Sequence, residues 1–386
     1  MRKVAIIGFG QTKVEEHWDK SLRELAGDAA LGALHQAGLS VVDGIFIGNM
    51  MSGAANKQQH LGSYIADWLG LRYSEAFKVE AACSSGSAGF RAALMAVASG
   101  EMESAIAVGV EKMTDSPGSE ITSELATAAD ADWEADQGVS FVALNALLMR
   151  RYMFEYGWQK DDFAGFSINA HANAVHNPYA RFQEAITLEE YRRAGMVADP
   201  INLLDASAIG DGAAAVVLVP WERIIPVPSR PIITVAASAA ATDTLAVHHR
   251  SDPLWLRAAA QSSRQAYSQS GFSTKDIDLF EAHDAFSIMA ALSLEACGFA
   301  ERGQAPRLAI DGDICSTGRI PIATLGGLKA RGHPVGATGV YQIVEVVEQL
   351  LWEAGPAQVE GARVGMTQNI GGSGSNILTH ILVRED

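Results

Sequence analysis

A strand–helix–glycine rhythm that occurs twice narrows the folds open to this chain more than any other feature. In the first half, residues 4–8 read as a short buried strand, with Gly8-Phe9-Gly10 as its turn. Residues 21–37 then carry Leu22, Leu25, Ala29, Ala33 and Leu34 at spacings that share one helical face, and Gly38 ends the helix. A strand over 42–47 and a helix over 59–69, closed by Gly70, follow. In the second half a helix over 258–269 ends at Gly271, a strand spans 277–281, and a helix over 288–297 ends at Gly298. Gly38 stands eleven residues before Asn49, and Gly271 twelve before His283. Each half closes with a further turn–helix–strand, over 83–110 and 333–367. Such self-similarity predicts two like α/β units packed together, with mixed sheets covered by helices. At roughly 100–200 residues per domain, 386 residues have room for both.

Between the halves, residues 113–202 break the rhythm. They are rich in Asp, Glu, Tyr, Phe and Trp, and segments 141–156 and 160–174 look helical. The stretch is either an ordinary helical insertion or a lid over a substrate.

Composition bounds the function. Apolar residues are 48% and charged residues 19%, the balance of a chain with a large core. The formal charge of −16, from 29 basic and 45 acidic residues, opposes non-specific nucleic-acid binding, which needs basic surface. It leaves room for a local basic pocket. Cys83, Cys297 and Cys315 are too few and too odd in number for a disulfide framework and suit a reducing compartment. No apolar run has signal-peptide or membrane-span length, so the expected location is the cytoplasm.

Four segments carry chemistry. In Val79-Glu80-Ala81-Ala82-Cys83-Ser84-Ser85-Gly86, a strand gives way to a helix over 88–98. Cys83 thus sits near a helix N-terminus, where unpaired N–H groups favour negative charge and a lowered thiol pKa. A lone cysteine there is either a nucleophile or a buried structural thiol. Gly332-His333-Pro334-Val335-Gly336-Ala337-Thr338-Gly339 precedes a helix over 340–353. Its imidazole could take a thiol proton, and the segment could equally be a plain turn. Glu281-Ala282-His283-Asp284-Ala285-Phe286 puts a histidine at a strand end, in a site or in a surface loop. Asn369-Ile370-Gly371-Gly372-Ser373-Gly374-Ser375 follows a strand over 364–367 and could present backbone N–H groups to an oxyanion, or simply turn.

Together and in this order, the four segments resemble the thiolases, over essentially the whole chain. The resemblance implies an α/β fold of two βαβαβαββ halves in a five-layered αβαβα core. It places a first half at 1–112 and 203–220, an inserted loop (lid) domain at 113–202, and a second half at 221–386. It implies that Cys83 accepts an acyl group as a thioester, that His333 activates it, and that His283 donates to the thioester oxygen or holds a water. Ser207, in Asp205-Ala206-Ser207-Ala208-Ile209-Gly210-Asp211-Gly212, matches a segment that contacts the pantetheine arm. Gly372 and Asn369 fall on the substrate side of the site, and Lys329 and Arg331 are basic residues that either offset CoA phosphates or lie on a solvated surface.

One departure matters. Many thiolases carry a second acid/base Cys where this chain has Asn369, and Ala285 stands where the sterol-carrier-protein branch has another. Cys315 or His283 could fill that role. His-Asp-Ala-Phe resembles the archaeal acetoacetyl-CoA branch. The implied activity is Claisen condensation of acyl-CoA or thiolysis of 3-oxoacyl-CoA, with acyl-CoA as substrate and no permanent cofactor or metal. The implied assembly is a homodimer or homotetramer, with an OB-fold zinc-ribbon partner as in the archaeal branch. A thiolase-like retro-aldolase acting on a sterol side-chain CoA ester and a non-catalytic CoA-binding scaffold are the rival functions.

Overall fold

The computed structural model describes residues 2–224 and 231–386, so Met1 of the expected first half and residues 225–230 of the expected second half lie outside the described residues. In chain order the strands are β1 (Val4–Gln11), β2 (Gly44–Gly48), β3 (Glu75–Val79), β4 (Ala105–Glu111), β5 (Met196–Ala198), β6 (Ile201–Asn202), β7 (Gly212–Pro220), β8 (Ile232–Thr242), β9 (Leu279–Glu281), β10 (Val364–Gly371) and β11 (Asn376–Glu385). Nine of them form one sheet in the order β3-β2-β4-β7-β1-β8-β11-β10-β9, while β5 and β6 pair separately.

The expected duplication is visible in that order. From the outer edge of the first half, β2 is parallel to β3 and β4, β7 is antiparallel to β4, and β1 is antiparallel to β7. In the second half β10 is parallel to β9 and antiparallel to β11, and β11 is antiparallel to β8. A parallel bridge from Phe280 to Ile322 stands where β3 stands in the first half. The two halves join where β1 meets β8 over Ala5–Thr234 and Ile6–Ile233.

Strand alternation builds the layers, because successive side chains point to opposite faces. Ile106, Val108 and Val110 of β4, with Ala213, Ala215 and Val217 of β7, pack on the outer helices Leu22–Ala37 and Leu61–Trp68. Ala105, Ala107, Ala214, Val216 and Leu218 point the other way. They meet Phe90, Ala93 and Val97 of helix Ser85–Ser99 and Val340, Ile343, Val344 and Val347 of helix Thr338–Leu351. A third cluster joins Ala237, Met366 and Ile381 to Ala259 and Ala266 of helix Arg257–Ser270 and Ile288 of helix Ser287–Ala296. Helices therefore lie outside, between and outside the two half-sheets, a five-layered αβαβα arrangement with the two motif-bearing helices at its centre.

Gly38 and Gly271 close their helices in the left-handed region at φ 67° and 77°, which glycine adopts without a Cβ clash. Gly8 and Gly10 are not a turn but lie inside β1. A Cβ at either would come within 2.2 Å of Ala33 O or 2.3 Å of Ala29 O, so glycine lets the strand press onto helix Leu22–Ala37. Likewise β10 runs through Asn369 to Gly371 rather than stopping at 367. Within 113–202, helix Phe141–Tyr156 appears as expected, and residues 160–174 divide into a tight turn Lys160–Phe163 and helix Ala164–Ala174. Among the described residues no helix is long and apolar enough to cross a membrane.

Candidate active site

The turn into helix Ser85–Ser99 is built to present a side chain. Ala82, immediately before Cys83, has φ 51°, a strained value for a residue with a Cβ. Hydroxyls hold the turn closed: Ser84 Oγ donates to Ala81 O and Ser85 Oγ to Ala82 O, both at 2.6 Å, while Ala81 N donates to Ser85 Oγ at 2.9 Å. Ser84 and Ser85 are fully buried, and Cys83 is left half-buried on a pocket wall.

That pocket gathers residues from distant parts of the chain. Cys83 comes from the first half. His283, Ala285, Phe286, Met289, His333, Val335 and Gly372 come from the second, and Ser207 lies just before β7. The intervening region adds Leu125 and the first turn of helix Phe141–Tyr156, with Phe141 and Val142. That turn is fixed by Ser140, whose side chain accepts from Ala143 N at 3.3 Å.

The two imidazoles stand edge to face, 5.1 Å between ring centroids. His333 Nδ1 lies 2.7 Å from Thr338 Oγ1, and His333 N donates to Ala208 O at 2.9 Å. His283 Nδ1 lies 3.1 Å from Asn369 Nδ2. An amide NH2 donates, so Nδ1 accepts and the proton of a neutral His283 sits on Nε2. Asn369 lies outside the pocket lining and contributes through His283. The segment at Ser207 touches both histidine loops, since Ser207 N donates to Ala285 O at 2.8 Å while Ala208 O receives His333 N.

Electrostatics depart from the expected thiolate. Burial and then the charge of Glu111 push the Cys83 thiol up to about 12, although the backbone N–H groups of Gly372 and of Cys83 itself pull it down. The helix N-terminus is outweighed because the sulfur has lost most of its water and faces a carboxylate. Burial and the Arg331 charge push His283 down to about 3. Burial, His283 and Arg331 hold His333 well below its ordinary range. The resting site is thus a neutral thiol beside two neutral imidazoles.

Lys329 and Arg331 are not surface cations and line no part of this pocket. They lie 2% and 0% exposed in the wide helical turn Gly327–Arg331. Arg331 Nε pairs with Glu345 Oε1 at 2.8 Å, Nη1 donates to Gly332 O, and the guanidinium lies 4.7 Å from the Tyr341 ring centroid. Lys329 Nζ donates to Asp205 O, next to the Ser207 segment. They brace the loops of the site and are too buried to meet CoA phosphates. Cys315 is exposed and also outside the pocket lining, so its loop does not fold inward as a base there would require.

One residue buried behind the pocket carried no motif. Glu111, at the end of β4, is fully buried and accepts from Asn49 Nδ2, Met50 N, Met51 N and Gly336 N at 2.8–2.9 Å. Burial raises its carboxyl to about 7 in spite of those donors. A lone Glu ending an apolar strand resembles any strand end, and only its burial marks it.

Residues 4–222 match the family model described as Thiolase, N-terminal domain, and residues 239–384 match Thiolase C-terminal domain-like. The chain is 47% identical over 386 residues to an acetyl-CoA acetyltransferase of Methanothermobacter thermautotrophicus, with all of both chains covered. It is 39% identical to an acetyl-CoA acetyltransferase of Methanocaldococcus jannaschii over 99% of each. Among solved structures it is similar to the Ltp2-ChsH2(DUF35) aldolase, with a TM-score of 0.87, 25% identity, and coverage of 99% of this chain and 98% of that one.

Proposed function

The chain belongs to the thiolase family and is a thiolase-type acyltransferase; we propose that it works on acyl-CoA through an acyl-enzyme at Cys83. The observation that carries this is one pocket into which the first half sends a thiol and the second half two imidazoles. Because thiol and imidazole are both neutral at rest, the proton moves as the bond forms. Cys83 Sγ attacks the thioester carbonyl while its proton passes to His333 Nε2, and the Nδ1 contact with Thr338 keeps that nitrogen turned inward. The carbonyl oxygen becomes an oxyanion met by His283 Nε2–H and by backbone N–H groups such as that of Gly372, each such donor being worth about 3–4 kcal/mol of barrier. The C–S bond to CoA breaks, and the leaving sulfur takes the proton from His333. A second acyl-CoA then loses an α-proton, its carbanion attacks the Cys83 thioester, and the carbonyl–Cys83 bond breaks as the C–C bond forms. With Asn369 unable to act as a base, Cys315 remote and His283 Nε2 already carrying a proton, His333 Nε2, freed when CoA leaves, takes the α-proton and returns it to the Cys83 sulfur. Thiolysis is the same path reversed.

Ser207 and the pocket face of the insertion hold the pantetheine arm in this proposal. The halves divide as 1–112 with 203–220, and 221–386, with 113–202 as the lid. Three unpaired cysteines suit a reducing cytoplasm. The edge strand β3, with Phe77 half exposed on it and Tyr73 fully exposed two residues before it, supports a homodimer built across that edge. The likeness to a structure named for a DUF35 complex supports a small partner subunit. Purification from the native host tests the partner, and recovery of a bare homo-oligomer speaks against it.

The same likeness favours a retro-aldolase as the second reading, while Cys83 and His333 on the walls of one pocket favour acyl transfer. Mass spectrometry after acetyl-CoA treatment decides: acyl transfer requires an acetyl adduct on Cys83 and turnover of acetoacetyl-CoA with CoA, both lost in Cys83→Ala. An unmodified Cys83 with aldol cleavage intact establishes the aldolase. No turnover of either kind leaves a scaffold.

A further inference from the structure

Glu111 gathers four donors on two oxygens: Oε1 accepts from Asn49 Nδ2 at 2.8 Å and Met51 N at 2.9 Å, and Oε2 from Met50 N and Gly336 N, both at 2.9 Å. Three donors belong to the turn after β2 in the first half. The fourth belongs to the His333 loop in the second. Around this clamp Met51 and Val335 pack in one small cluster, with Met50 and Cys83 against it. Gly336 must be glycine for the clamp to close, because a Cβ there would lie 2.5 Å from Glu111 Oε2 and 2.7 Å from Met50 N. Gly86, three residues past the nucleophile, faces the same loop: its Cβ would fall 2.8 Å from Gly336 O.

The duplication gives Glu111 a counterpart. β2 and β4 pair Gly48 with Gly109, and β9 and β10 pair Glu281 with Thr367. Two residues beyond Gly109 is Glu111, and two beyond Thr367 is Asn369, the residue that holds His283. Corresponding places in the two halves each fix a loop of the site.

We propose that Glu111 is a positioning residue that locks the His333 loop of the second half against the Cys83 turn of the first, a role that rests on the acyl transfer proposed above. Its contribution is geometric, since its negative charge works against a Cys83 thiolate. A carboxylate is required because four converging N–H groups need acceptors on both arms. A glutamine would turn its NH2 toward two of those donors.

The test separates geometry from charge. Wild-type enzyme first forms the Cys83 acetyl adduct; its absence sinks the acyl-transfer reading and this one with it. Glu111→Gln then lowers kcat about 100-fold, the scale of an ångström-level misplacement. With the charge gone, iodoacetamide alkylation of its Cys83 shifts to lower pH. Gly336→Ala forces the clamp open but keeps the charge, so it loses turnover to a similar degree with an unshifted alkylation profile. Turnover within threefold of wild type in either variant overturns the proposal. If Glu111→Gln does not fold, Gly336→Ala decides alone.

Discussion

Replacing Thr338 by valine removes one hydroxyl and nothing else from the site. Thr338 Oγ1 lies 2.7 Å from His333 Nδ1, Thr338 is fully buried and His333 is 7% exposed, so water does not replace the lost partner. Valine matches threonine in shape, which removes a cavity from consideration. An orphaned buried polar group costs about 1–3 kcal/mol. In this site the cost falls on orientation: without its Nδ1 partner the ring no longer favours the tautomer and rotamer that, in the proposed mechanism, leave Nε2 free to take the Cys83 proton. At about 1.36 kcal/mol per factor of ten, kcat for acetoacetyl-CoA thiolysis falls about 10–100-fold. KM stays within about twofold, because Thr338 does not line the pocket. Thr338→Ser keeps the hydroxyl and turns over near the wild-type rate. Steady-state kinetics on both variants, with thermal melts to confirm folding, check this. A valine variant within twofold of wild type, or a serine variant as damaged as the valine one, refutes the role given to this contact.

With the thiol pushed up to about 12, the thiolate fraction of free enzyme grows about tenfold per pH unit through neutrality. Iodoacetamide modification of Cys83 therefore keeps rising from pH 7 to 9, and a plateau below pH 8 contradicts this. Glu345→Gln strips the buried Arg331 of its ionised partner and lowers stability by about 3–5 kcal/mol in denaturant titration. Removing both charges, in Arg331→Met with Glu345→Leu, restores much of the loss, and equal damage in single and double variants contradicts the pairing. Cys315→Ser leaves turnover within about twofold, because that thiol is exposed and away from the pocket; abolished turnover would return Cys315 to the list of α-carbon bases.

Features marked by spacing along one element were legible in the sequence. The spacing of Leu22, Leu25, Ala29, Ala33 and Leu34 marks the buried face of their helix, the glycines at 38 and 271 end their helices in the left-handed region, and the turn at Cys83 announces itself by its small residues. Gly8 and Gly10 look like a turn in one dimension, and only the helix crossing at Ala29 and Ala33 shows that they serve close approach.

What stayed hidden depends on meetings between halves. Lys329 and Arg331 read as surface because charge usually is surface; their burial follows from Asp205 and from Glu345 on a central helix. Glu111 acquires meaning only when Gly336, 225 positions later, supplies its fourth donor. The thiol's direction of shift was misjudged for the same reason. The favourable term, a helix N-terminus, is local and readable, whereas the opposing burial and the Glu111 carboxylate exist only once the halves have closed around Cys83. In a duplicated fold whose chemistry lies on the seam, a residue's partner can sit at the corresponding place in the other repeat. The useful question to put to such a sequence is then which polar residues recur at equivalent ladder positions: Glu111, two residues past Gly109, in the first half, and Asn369, two past Thr367, in the second.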